Sequence, residues 1–236
     1  MRSETQGAVM VAVAAMVANL ALNGSHTSYT RVGLRIPLFL SAAFIGVVGL
    51  VAVLKANQRE TDPHGHGSAG LRVGLALLVP VVAVYMIAPA PLGAFTASRS
   101  EANQLSAGAG RRGPGPLPGE VTASGAIESD LSDLLVRVYY GPEEVQGKTV
   151  RLVGFVVAEP EIEDAYRLTR FTISCCAADA SSLQVIVRGV PDVPPENQWL
   201  AVEAIWHGEV VNPGLVPVMQ FVSQERVAQP AEPYEY

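Results

Sequence analysis

Charge is what this chain of 236 residues has least of. Asp, Glu, Lys and Arg make up 16% of it, against about 25% in an ordinary soluble domain. With 49% hydrophobic residues, this scarcity excludes both a disordered chain and a uniformly soluble globule. Positive charge is the scarcer sign, with 16 basic residues against 22 acidic and a formal net charge of −6. A nucleic-acid surface needs clustered Lys and Arg, so that class of partner is excluded. Cysteine is nearly absent. The only two, Cys175 and Cys176, are adjacent, which rules out a disulfide framework and the spacing of a zinc finger.

What charge there is lies unevenly. Residues 1–98 carry six basic and three acidic side chains, and residues 99–236 carry ten basic and nineteen acidic. This division reads as a membrane region followed by a water-soluble domain. Three apolar segments fill the first part, giving expected spans at about 7–24, 34–54 and 71–92 within residues 1–96. The first has its apolar heart between Gly7 and Leu22. A cleavable signal peptide with Arg2 as its basic end competes for it, but no A-x-A site follows. The second, Ile36 to Leu54, is free of charge. The third holds Pro80, which should kink it, and leaves through Pro89 and Pro91. Small residues in these segments (Ala14, Ala18, Gly46, Gly49) are read as composition rather than as a helix-packing seam. Positive flanks divide four against five between the two sides, and an extracytoplasmic carboxyl domain is the orientation adopted.

Residues 97–125 are rich in Gly, Pro, Ser and Ala and read as a flexible linker. A β domain is expected over 126–228, with a tail at 229–236. A short helix opens it: Ser129 or Asp130 caps the start, Leu131, Leu134, Leu135 and Val138 form one apolar face, and Gly141-Pro142 ends it. Five strand-like runs follow, at 149–158, 167–176, 183–188, 199–206 and 216–223. The expected fold is a membrane α-helical region plus a small all-β barrel of the oligonucleotide/oligosaccharide-binding (OB) type, with a small sandwich as the alternative. Gly154 would allow the bend that such a barrel needs.

Two places could carry chemistry. In the second loop, Asp62, His64 and His66 offer a carboxylate and two imidazoles, donors that suit zinc. That set lacks a fourth ligand, which water, His26 or a partner chain would supply. The bland alternative is a polar loop with incidental histidines. The second place is Cys175-Cys176 with Asp179. On a regular strand the two thiols would point to opposite faces and could not share a metal, a limit that a strand end or bulge would relax. Buried structural cysteines, metal or thiol chemistry, and a redox switch all stay open. Trp199, Trp206, Phe155, Phe171 and Phe221 read as barrel core. No phosphate-cradling glycine loop or nucleophile elbow is present, so the chain reads as a non-enzyme. The spans hold no charged residue except Arg35 and Arg72 at their edges, too little for an ion pathway on its own.

The run Gly147-Lys148-Thr149-Val150-Arg151-Leu152-Val153-Gly154-Phe155-Val156, the segment Thr169-Arg170-Phe171-Thr172-Ile173-Ser174-Cys175-Cys176-Ala177-Ala178-Asp179-Ala180 and Trp199-Leu200-Ala201-Val202-Glu203 resemble the YcgQ family of bacterial membrane proteins. The His-x-His loop and the exit Ala90-Pro91-Leu92-Gly93-Ala94 look like that family too. The resemblance covers nearly all of the chain outside the linker. One departure is Ala204, where relatives tend to have Gly. The resemblance implies a multi-pass protein of the cell membrane paired with a YcgR-type integral membrane permease, with a suggested link to zinc. Its candidate residues here are His64, His66, Cys175, Cys176 and Asp179. The expected function is an accessory subunit of a two-component membrane permease complex. The alternatives are a membrane-anchored metal-binding or metal-delivery protein, or a thiol redox protein.

Overall fold

A computed structural model describes residues 3–58, 79, 82, 90–99, 117, 119–211 and 215–236. The chain divides into two compact units, Met1–Ala90 and Pro91–Tyr236.

In the first unit, helix α1 (Ser3–Leu22) and helix α2 (Arg35–Gln58) pack against each other, joined by short 3-10 turns at Ser25–Ser28 and Val32–Leu34. Gly24, at φ 77°, turns the chain out of α1. Arg35 reaches back to cap α1, its Nε donating to the Ala21 carbonyl at 2.9 Å and its Nη2 to that of Leu22 at 3.3 Å. Small residues let the helices approach. A Cβ at Gly49 would come within 2.9 Å of the Gly7 carbonyl oxygen and of the Met10 Cβ, and one at Gly46 would meet Ala14 at 3.5 Å. The small residues are therefore a packing seam and not mere composition, because only glycine admits that backbone contact. The opposite face of α2 exposes Ile36, Leu40, Phe44, Val47, Val51 and Leu54, spaced as one helical stripe.

Among the described residues one helix, Val32–Lys55, is long and apolar enough to cross a membrane. The apolar part of α1, Gln6–Leu22, is shorter, about 26 Å against a hydrocarbon core of about 30 Å. The third expected span lies almost entirely outside the described residues, so the described residues support one sufficient helix and not three spans.

The second unit is built on a closed five-stranded barrel. Its strands are β2 (Thr149–Ala158), β3 (Ala165–Thr172), β4 (Ser181–Arg188), β5 (Trp199–Val211) and β6 (Val216–Arg226). They close in the order β2-β5-β6-β4-β3-β2, antiparallel throughout except for the parallel pair β4–β6. Short parallel strands add to it, β1 (Ile127–Glu128) beside β2 and β7 (Tyr234–Glu235) beside β3. Strand β2 pairs with β5 through Phe155 and with β3 from Phe155 onward, so it must bend as it changes partner. Gly154 stands at that handover, and a Cβ there would sit 2.8 Å from the Thr169 carbonyl oxygen.

Leu152, Leu168, Val185, Leu200, Val202 and Met219 fill the interior. Helix α4 (Leu131–Tyr140) packs into that core through Leu131, Leu134, Leu135 and Val138, the apolar face its spacing predicts. A second cluster gathers Phe155, Phe171, Ile173 and Tyr234 with Ala94 and Ala97 of the one-turn helix α3 (Ala94–Ala97). The Leu92 N–H donates to the Tyr234 hydroxyl at 3.1 Å, and the Ala94 N–H to Asn197 Oδ1 at 2.8 Å. Ala97 and Leu117 are buried, Val121 bridges to Ile127, and Tyr234 and Glu235 are buried in a strand.

Candidate metal and thiol site

The two cysteines stand in the loop between β3 and β4. Strand β3 ends at Thr172, not at Cys176 as the alternation suggested, so the opposite-face constraint of a regular strand does not apply. The loop folds around one carboxylate. Asp179 accepts backbone N–H bonds from Ser174 at 2.9 Å, from Cys175 at 2.8 Å and from Cys176 at 3.4 Å. Residues Ala177–Asp179 form a 3-10 turn capped by Cys176, whose side chain accepts from the Asp179 N–H in return. The result turns both sulfurs the same way, with Sγ–Sγ at 3.7 Å.

Both thiols are free, Cys175 exposed and Cys176 half-buried. Cys175 is pushed up to about 11, first by its hydrogen bond to Asp179 and then by its contact with Cys176. Asp179 moves the other way, held below the usual carboxylate range chiefly by the same thiol hydrogen bond, with the backbone donors adding to it. The Cys175 thiol is thus protonated at neutral pH, and the Asp179 carboxylate is charged. One ligand atom from each of Cys175, Cys176 and Asp179 lies within 4.8 Å of the others. Two sulfurs and an oxygen at this spacing suit a borderline or soft divalent cation such as zinc.

Asp62, His64 and His66 lie outside the described residues, so their geometry adds nothing to this set. His26 is buried in the turn before α2. About 36 Å of helix separates that turn from Gln58. Trp206, Phe155 and Phe171 are buried as core, while Trp199 is half-buried and Phe221 packs partly buried against the interior. Phe155 stacks on Phe171 with centroids 5.9 Å apart.

The sequence misses one buried polar network. Glu235, on β7, accepts from the backbone N–H of Leu131 at 3.0 Å and of Ser132 at 2.8 Å, and from the Ser132 hydroxyl. It thereby caps the start of α4 in place of Asp130, whose side chain makes no cap hydrogen bond. Arg170 lies 4.0 Å from the same carboxylate, donates to the Glu232 carbonyl at 3.1 Å, and sits over the Trp199 ring at 5.5 Å. Partners a hundred residues apart leave no local signal. Arg170 also lines an open cavity of about 440 Å³ whose other walls include Glu128, Asp130 and Asp133.

Residues 126–236 match the family model of the DUF1980 C-terminal domain. A relative from Streptococcus mutans serotype c, named "Putative two-component membrane permease complex subunit", is 28% identical over 102 residues. That match covers 42% of this chain and 37% of the relative, so the chain spans well under half of the relative's length. A solved chain from Leishmania major, described as a putative aspartyl-tRNA synthetase, aligns at 14% identity over 51% of this chain and 24% of that one, with a TM-score of 0.28. The DUF1980 match ends at Tyr236, so it includes β7 and Glu235 as well as the barrel and the cysteine loop.

Proposed function

We propose that this chain is a non-enzymatic accessory subunit of a two-component membrane permease complex. The relative named for such a complex carries that reading. Two features of the chain support it. Helix α2 is long enough to cross a bilayer and keeps a full stripe of large apolar side chains exposed, Ile36, Leu40, Phe44, Val47, Val51 and Leu54. It also carries no charged side chain between Arg35 and Lys55, so it offers a surface for lipid or a larger helical bundle but no ion path. In its full form the proposal has three spans, an OB-type barrel and an extracytoplasmic placement of that barrel. The Asp62, His64 and His66 loop stays within it as a further metal-binding candidate.

Tagged full-length chain is to be purified from its native membranes in a gentle detergent. A multi-spanning permease in fixed ratio with the chain is the expected result. Recovery of the chain alone, intact and folded, contradicts the proposal. A thiol redox role is the second reading, favoured by two free sulfurs at 3.7 Å. The raised Cys175 weighs against it, because the thiolate is the species that reacts.

A further inference from the structure

We infer that the loop between β3 and β4 is an open, exchangeable site for a tetrahedral thiophilic divalent cation, held by Cys175 Sγ, Cys176 Sγ and an oxygen of Asp179. The inference takes its purpose from the accessory-subunit reading, and its geometry stands apart from that reading.

The sulfur spacing fits tetrahedral coordination. Zinc–sulfur bonds of about 2.3 Å meeting at a tetrahedral angle set two sulfurs about 3.8 Å apart. The pair here stands at 3.7 Å. A linear two-coordinate ion would instead need sulfurs separated by twice the bond length, roughly 4.6 Å with the same bonds. Adjacent residues rarely offer such an edge, because a strand sends them to opposite faces. Here the capped turn Ala177–Asp179 and the carboxylate that gathers three N–H donors fix the convergence before any ion arrives.

The loop is anchored at both ends. Ile173 before it is buried among Phe155, Phe171 and Tyr234, and Ala180 after it packs against the same cluster. Its tip is open, with Cys175 and Asp179 exposed and Cys176 half-buried. Structural zinc sites are closed by four protein ligands, whereas three ligands on an exposed loop leave one position for water or for a donor from another molecule. The charge balance fits a divalent ion. Each thiol gives up its proton to solvent as its sulfur binds, so two thiolates and one carboxylate meet the cation and two protons leave. The chain's acidic carboxyl half adds to the attraction for cations.

The test uses purified full-length chain in detergent, stripped of metal and titrated with Co²⁺, then with Zn²⁺ as competitor. Wild type should bind Co²⁺ in the cysteine loop with the intense thiolate charge-transfer and tetrahedral d–d absorption, displaced by Zn²⁺. Cys175→Ser/Cys176→Ser should lose both bands, with the barrel's thermal unfolding unchanged. Asp179→Asn should weaken binding at least tenfold, and His64→Ala/His66→Ala should keep the bands. Absence of the bands in wild type overturns the inference. So does their survival in the double serine variant, or their loss in the histidine variant. The permease is absent from this experiment, so its outcome and that of co-purification are read separately.

Discussion

In Asp179→Asn, alkylation of Cys175 by iodoacetamide at pH 7.5 should run faster than in wild type, by up to about tenfold. The size follows from two opposing effects. The hydrogen bond to Asp179 is the first cause of a Cys175 value of about 11, against an ordinary 9.0. Asp179 is the largest of several causes, so a full return to the ordinary value, which raises the thiolate fraction about a hundredfold at one decade per unit, sets the upper limit. Each thiolate then becomes roughly tenfold less nucleophilic, since reactivity falls with about half the loss in basicity. The product is about tenfold. Asparagine keeps a carbonyl oxygen to accept backbone N–H bonds, so the loop survives. In wild type the rate should keep climbing with pH up to about 11, and in the variant it should level off nearer 9. Equal rates and equal pH profiles would show that Asp179 does not hold the thiol.

Replacing Glu235 by alanine should destabilise the carboxyl unit as much as truncating a large core side chain. It strips the cap from α4, leaves the N–H groups of Leu131 and Ser132 without their acceptor, and leaves Arg170 buried without its carboxylate. Breaking a buried pair from one side costs about 3–5 kcal/mol. For a unit of this size that is a fall of roughly 10 °C in Tm, from about 3 °C per kcal/mol. Trp199 and Trp206, both in β5, report it by fluorescence. Burial raises the Glu235 carboxyl above its ordinary value, while Arg170 and the Ser132 donors pull it down. A raised value in the fold means that this group's contribution is complete below its unfolded value and is lost as pH rises through the folded one. Glu235→Gln should remove that slope at a smaller cost in stability. A Tm within about 2 °C of wild type for Glu235→Ala, where one kcal/mol already moves it further, would refute the capping role.

The barrel was open to reading from sequence because its signals are local. Alternation marks the strands, Gly154 marks the bend, and Leu131, Leu134, Leu135 and Val138 mark the inward face of the helix. The site was only half readable. Two adjacent cysteines announce sulfur chemistry, but nothing nearby says that β3 stops at Thr172, three residues short of them. That stop is what turns both sulfurs to one side. Long-range partners left no trace: Glu235 looks like an acidic tail residue until it meets Ser132, and Leu92 and Ala94 look like the exit from a membrane until they meet Tyr234 and Asn197. Composition concealed the Gly7–Gly49 contact, because an Ala- and Gly-rich segment looks the same whether or not its helices touch.

In the proposed accessory role, α2 offers its apolar stripe to a permease. A photo-crosslinking amino acid at Phe44, which is 71% exposed on that stripe, tests this in native membranes. The matched control is Ala42, 3% exposed on the side that packs within the unit. A single large adduct is expected from position 44, identified by mass spectrometry as a multi-spanning permease, and none from position 42. Adducts from position 44 to lipid and to this chain alone would contradict it.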